Sequence, residues 1–141
     1  MSDYETDVVE WSERQADLLR RRAANEIDWD NIAEEIESVG SEQRHAVESL
    51  LTNIMQHLLQ ISSWPEALAA DHWRHEVDVW RVQVERRFRR GPKLRTEAEG
   101  WLPDLYADAI KSMYRAVDGV PRPPMPDACP FSLAELLTPD E

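Results

Sequence analysis

Residues 29–62 read WDNIAEEIESVGSEQRHAVESLLTNIMQHLLQIS, and Trp64-Pro65 follows. Ile32, Ile36 and Val39 recur at spacings of four and three, which places one apolar row on a helix. Asp28, just ahead of them, is a good N-cap for that helix. Gly40 interrupts the row at a cost of about 1 kcal/mol relative to alanine in a helix interior. The row nevertheless continues in phase as Val47, Leu50, Ile54, Leu58 and Ile61. The stretch therefore predicts one long helix, bent or broken at Gly40, which Pro65 ends because its ring removes a donor and restricts the residue before it.

The neighbouring stretches repeat the pattern. Tyr4, Val8, Trp11, Gln15, Leu18 and Arg22 share a face, predicting a helix over 3–24. Over 66–90 two rows run side by side. Trp73, Val77, Trp80, Val84 and Phe88 form one; Leu68, His72, Val79, Val82 and Arg86 form the other. An arc that wide predicts a helix central to a bundle. Gly91 and Pro92 punctuate it. A fourth helix over 92–118 carries Leu94, Ala98, Trp101, Leu105, Met113 and Val117, with a bend or break at Pro103 and an end at Asp118-Gly119. Pro121, Pro123, Pro124, Pro126 and Pro130 exclude a helix over 119–131. Ser132 and Glu135 then make a capping box before Leu136 and Leu137, a short helix over 132–137 that must dock on something. The expected fold is all-α: a single-domain antiparallel helical bundle of about four long helices, with a proline-rich arm and a short C-terminal helix.

Composition narrows the class. The 141 residues carry 28 Asp+Glu against 16 Lys+Arg, a formal net charge of −12. The first 50 residues hold 14 acids and 5 bases, while the next 50 hold 7 and 8, so the middle of the chain could face acidic surface. One cysteine, Cys129, rules out an internal disulfide. No apolar run approaches a membrane span, and the acidic N-terminus lacks a signal-peptide layout. The expectation is a cytoplasmic protein with no membrane association.

At this point a resemblance stands out. Tyr4-Glu5-Thr6-Asp7, Trp11, Gln15 and Leu18-Leu19-Arg20 carry it, then Asp28, Asn31 through Glu37 and Gly40. His57-Leu58-Leu59, Trp73, Pro92-Lys93-Leu94-Arg95, Tyr106 and Cys129-Pro130-Phe131 complete it. The chain resembles the bacterial "domain of unknown function 29" family over nearly its whole length. The resemblance implies a helical bundle and no assigned activity. Two features depart from the pattern: Gln60 stands where a basic residue is usual, and His72 and His75 stand where small hydroxyl residues are usual.

Chemistry has few places to sit. His57 and His72 lie at equal distances either side of Trp64-Pro65, hence at one level of an antiparallel pair, and His75 lies one turn further. With Asp71 or Glu76 as a further ligand, such imidazoles would suit zinc or another divalent metal. The plainer reading makes His57 a core histidine bonded to a carboxylate or carbonyl, with no cofactor. A single Glu-x-x-His spacing, Glu42 to His45, falls short of a di-iron carboxylate set. Glu34 and Glu35 read as structural polar residues, Glu35 pairing with an arginine such as Arg74 or Arg81. Arg86, Arg87, Arg89 and Arg90 form a basic stretch; at net −12 and with no recognition module, nucleic acid is an unfavourable partner. These arginines, with Trp29 and Trp64 at helix ends, are the interaction candidates, for a protein partner or a second copy. No catalytic set is assembled. The reading is a non-enzymatic interaction or accessory module, with the metal-binding bundle as its alternative.

Overall fold

The structure, a computed structural model, describes residues 3–117 and 122–139. Asp118 and Gly119, read above as the end of the fourth helix, lie outside these, as do Val120 and Pro121. Among the described residues all regular structure is helical, so the chain is all-α. It forms two compact units, Met1–Glu42 and Gln43–Glu141.

The first unit holds α1 (Asp3–Thr6), α2 (Val8–Arg20) and the first turns of α3 (Trp29–Ser63). The single helix expected over 3–24 is broken at Asp7. Its backbone is extended, and its Oδ1 accepts from the N–H groups of Val9 and Glu10 at 3.1 and 3.0 Å. An Asp side chain satisfies helix-start donors better than it serves a helix interior. At the other end Ala23 N–H reaches the Leu18 carbonyl and Arg22 N–H the Leu19 carbonyl, a Schellman closure. The left-handed residue this closure needs is Arg22, at φ 57°. Trp11, Leu18, Ile27 and Ile32 form the core, with Tyr4 and Ala23 against it. That small core ends at Ile32. Ile36 and Val39, expected in the buried row, are exposed, as is Val8.

The second unit contains the remainder of α3, α4 (Ala70–Arg90), α5 (Pro92–Ala98), a 3-10 turn (Glu99–Trp101), α6 (Leu102–Ala116) and α7 (Leu133–Leu137). α3 runs unbroken through Gly40. His57 touches Glu76 and Gln43 touches Arg87. The partners fall in reverse order, so α4 runs antiparallel to this part of α3. α4 starts at Ala70 rather than 66. The intervening residues make turns, Ala67 to Trp64 and Ala70 to Ala67, and Ala69 at the N-cap position makes no side-chain capping bond. Pro103 sits in the first turn of α6, where its missing N–H costs nothing, and the chain arrives there through the 3-10 turn.

On α4 Val77, Val84 and Phe88 are buried and Trp80 packs against them. The second row is a correction: Leu68, His72, Val79, Val82 and Arg86 are exposed. α4 is covered on one side only, by α3, α6 and α7 residues that meet its inner row. Leu133 and Leu136 of α7 are buried in the same core, and Ser132 Oγ accepts from Glu135 N–H at 3.1 Å. Between α6 and α7 the arm is tied by Tyr106, whose hydroxyl donates to the Pro126 carbonyl at 2.7 Å, and by Tyr114, which donates to Pro123 at 3.0 Å. No helix among the described residues is long and apolar enough to cross a membrane.

Candidate functional site

Antiparallel packing of α3 and α4 brings three of the predicted residues together. His57 Nε2 lies 2.7 Å from Glu76 Oε2, and His72 Nε2 lies 2.5 Å from the other oxygen, Oε1. One carboxylate thus bridges a part-buried imidazole on α3 and an exposed one on α4. A carboxylate only accepts, so Nε2 of each ring carries the proton. The ring of His57 meets Trp80 edge-on at 4.7 Å between centroids and Trp73 at 6.3 Å. Burial among these rings pushes the His57 pKa down; Glu76 opposes this and the neighbouring His72 adds to it. With Nε2 protonated and the ring neutral, Nδ1 is a bare acceptor, and it is buried with no hydrogen-bond partner.

His75 and Asp71 do not join this cluster. His75 is exposed, and Asp71 pairs with Arg74 at 3.0 Å on the outer surface. The two clustered imidazoles spend their Nε2 atoms on separate oxygens of Glu76. Among the described residues no group of three or more His, Cys, Asp or Glu side chains is arranged to hold a metal ion.

The first unit carries a second polar lattice. Asp28 Oδ2 accepts from Trp11 Nε1 at 3.0 Å and from Asn31 Nδ2 at 2.8 Å, while Asp28 N–H donates to Gln15 Oε1 at 2.9 Å. These bonds, that of Asn31 first and Trp11 next, hold the Asp28 carboxyl below its ordinary range. The Tyr4 hydroxyl donates to Glu35 at 2.5 Å and its ring stacks edge-on with Trp11 at 4.7 Å. That bond, helped by desolvation and by the charge of Glu35, raises the Tyr4 pKa to about 12. Glu35 therefore pairs with a tyrosine and not with an arginine. The two arginines suggested for it have partners of their own one turn away, Arg74 with Asp71 and Arg81 with Asp78. Glu34 is exposed.

Several bonds lay beyond the reach of sequence reading. Arg44 and Glu97 form a two-pronged pair at 2.9 and 3.0 Å, 53 residues apart. Buried Arg81 donates through Nε to the Leu136 carbonyl at 2.7 Å and so pins α7. The local signals were present, a charged residue beside an inward row in each case, but nothing in spacing names the distant partner.

The interaction candidates separate. Trp64 packs against the second core, whereas Trp29 is exposed and donates its Nε1–H to the Ala24 carbonyl at 3.0 Å. Arg87 donates to Gln43 Oε1 at 3.0 Å. Arg86, Arg89 and Arg90 are exposed.

The model of the family described as Domain of unknown function DUF29 matches residues 4–140. The chain belongs to that family. No curated protein matches the chain, and no solved structure does. Tyr4, Trp11, Gln15, Asp28, Asn31 and Glu35, all within the matched range, are the members of the first unit's polar lattice.

Proposed function

We propose that this DUF29 chain is a non-enzymatic interaction module that receives a protein partner on the outer face of α4. One observation carries the reading. Val79 and Val82 stand in a row on that face, 40% and 51% exposed, although Val77, Val84 and Phe88 on the opposite side of the same helix are buried. Apolar residues aligned on a helix and left open to water are what a partner covers. The polar clusters support the reading from the other side. His57, Glu76, Arg44, Glu97, Arg81 and Asp28 all hold helices to one another, which leaves them structural work. The free, partly buried thiol of Cys129 fits a reducing compartment such as the cytoplasm.

The test is light scattering of the purified chain, with capture of proteins from extract by the native chain and by Val82→Asp. A captured partner or larger assembly lost in Val82→Asp supports the reading. A strict monomer that captures nothing overturns it.

A further inference from the structure

Resting on that reading, we infer that the partner element received by α4 is an acidic amphipathic helix. The row that begins with Val79 and Val82 continues at helical spacing into Arg86 and Arg89, with Arg90 beside them. The face is therefore apolar in its first half and cationic in its second. Its charge is not neutralised from within. Arg14, Arg21, Arg44, Arg74, Arg81 and Arg95 each have a carboxylate partner. Among the described residues Arg86, Arg87, Arg89 and Arg90 have none. Arg20, Arg22, Lys111, Arg115 and Arg122 lack one as well, but Arg86 to Arg90 gather four such guanidiniums into five positions at one helix end.

The surroundings of the row explain it. A hollow of about 390 Å³ is lined by Gln43, Gln83, Arg86, Arg87 and Arg90, amides and guanidiniums without a carboxylate. A second hollow, about 400 Å³, lies against Val82, Arg89 and Leu137. Its two acids are already engaged, Asp78 by Arg81 and Glu85 by Arg95. The last turn of α4 gains from cations near its carbonyl end, but that interaction leaves the outer edge of each guanidinium open. Guanidinium pairs best with carboxylates presented in a fork. A partner helix that sets apolar side chains over Val79 and Val82 and carboxylates over Arg86, Arg89 and Arg90 meets both halves at once. A nucleic acid meets only the second half, and the chain's net charge of −12 opposes its approach.

The experiment is fluorescence anisotropy on the full chain with two designed labelled peptides, leucine along one face and glutamate or lysine along the other. The glutamate peptide should bind about tenfold or more tighter, and salt should weaken it. Replacing Arg86, Arg89 and Arg90 together by Glu should abolish the preference, and replacing all three by Lys should keep most of it. Val82→Asp should weaken both peptides alike. Circular dichroism confirms that each variant folds. Equal binding of the two peptides, or a preference that survives the glutamate triple variant, overturns the inference. So does labelled duplex DNA binding in place of the peptide, or a dimer in light scattering that the triple variant dissolves. If neither peptide binds while a partner is still captured through Val82, the acidic helix falls and the interaction module stands. If nothing is captured either, both fall.

Discussion

Nε2 of His57 lies 2.7 Å from Oε2 of Glu76, across the seam between α3 and α4. The bond joins a ring only 13% exposed to a carboxylate 30% exposed, so one end of it is drier than the other. Burial is the larger influence on His57 and keeps the ring neutral below its ordinary value of 6.5. The unfolded chain takes up a proton near 6.5, whereas the folded ring does so only at lower pH. By linkage, the contribution of a neutral His57 to the second unit's stability is present above about 6.5 and is lost as pH falls through that value toward the lowered one. Thermal melts from pH 8 to 5 should show that decline, and His57→Gln should flatten it.

The same bond predicts a shift in the other direction on mutation. Glu76 is the influence that raises the His57 pKa. In Glu76→Gln that support goes, so the imidazole should titrate lower still in an NMR pH series. A rise would mean that the carboxylate is not what faces the ring. Because Nε2 of His57 and of His72 each engage an oxygen of Glu76, added zinc or a chelator should leave the thermal midpoint unchanged. A midpoint that climbs with zinc would restore the metal-binding reading.

Arg81 should be the costliest charged residue to lose. It is 6% exposed and donates from Nε to the last turn of α7. Arg81→Met fills part of the volume but leaves the Leu136 carbonyl without its donor, a loss of about 1.5–3 kcal/mol for a hydrogen bond to a charged group. Urea unfolding should show that loss. Limited chymotrypsin digestion should also cut sooner at Phe131, because the arm and α7 come away together.

The contrast between Arg81 and α4's outer row shows what periodicity conveys. The spacing of Trp73, Val77, Trp80, Val84 and Phe88 marks a buried row, and Val77, Trp80, Val84 and Phe88 do face the core. Leu68, Val79 and Val82 have the same spacing and face water. A pattern states that residues share a side of a helix; which side gains a neighbour depends on how many helices pack there. The cap of α7 was legible because Ser132 and Glu135 act locally. The breaks at Asp7 and before Ala70 were not. A single capping oxygen decides the first, and successive turns between Trp64 and Ala70 occupy the second. Of the site, His57, His72 and Glu76 were legible together from the helix rise on either side of Trp64-Pro65. Tyr4 with Glu35 and Arg44 with Glu97 were not, since 31 and 53 residues separate the partners.

The aspartate lattice gives a second pH dependence, opposite in range. Asp28 is held below its ordinary 3.8 by Asn31 and then by Trp11. The stability it contributes is present above about 3.8 and disappears as pH falls through the lower folded value. Trp11→Phe keeps most of the ring's packing and deletes the Nε1–H. The Asp28 carboxyl should then titrate closer to 3.8, and the first unit should begin to unfold at higher pH. Carboxyl carbon shifts in NMR report the first effect, and acid titration followed by circular dichroism reports the second.

Arg22 offers a gain. Its φ of 57° puts a β-carbon where the left-handed closure of α2 favours none. That conformation costs a non-glycine residue about 1–2 kcal/mol. Arg22→Gly removes the strain but gives the unfolded chain more freedom, worth up to about 1 kcal/mol. The side chain is exposed and forms no ion pair that would be lost. The net expectation is a first unit more stable by about 0.5–1 kcal/mol. Hydrogen exchange of the α2 amides should slow accordingly. Arg22→Val, whose branched side chain fits this region worst, should speed exchange, and a stabilised valine variant would show that the Schellman closure does not hold in solution.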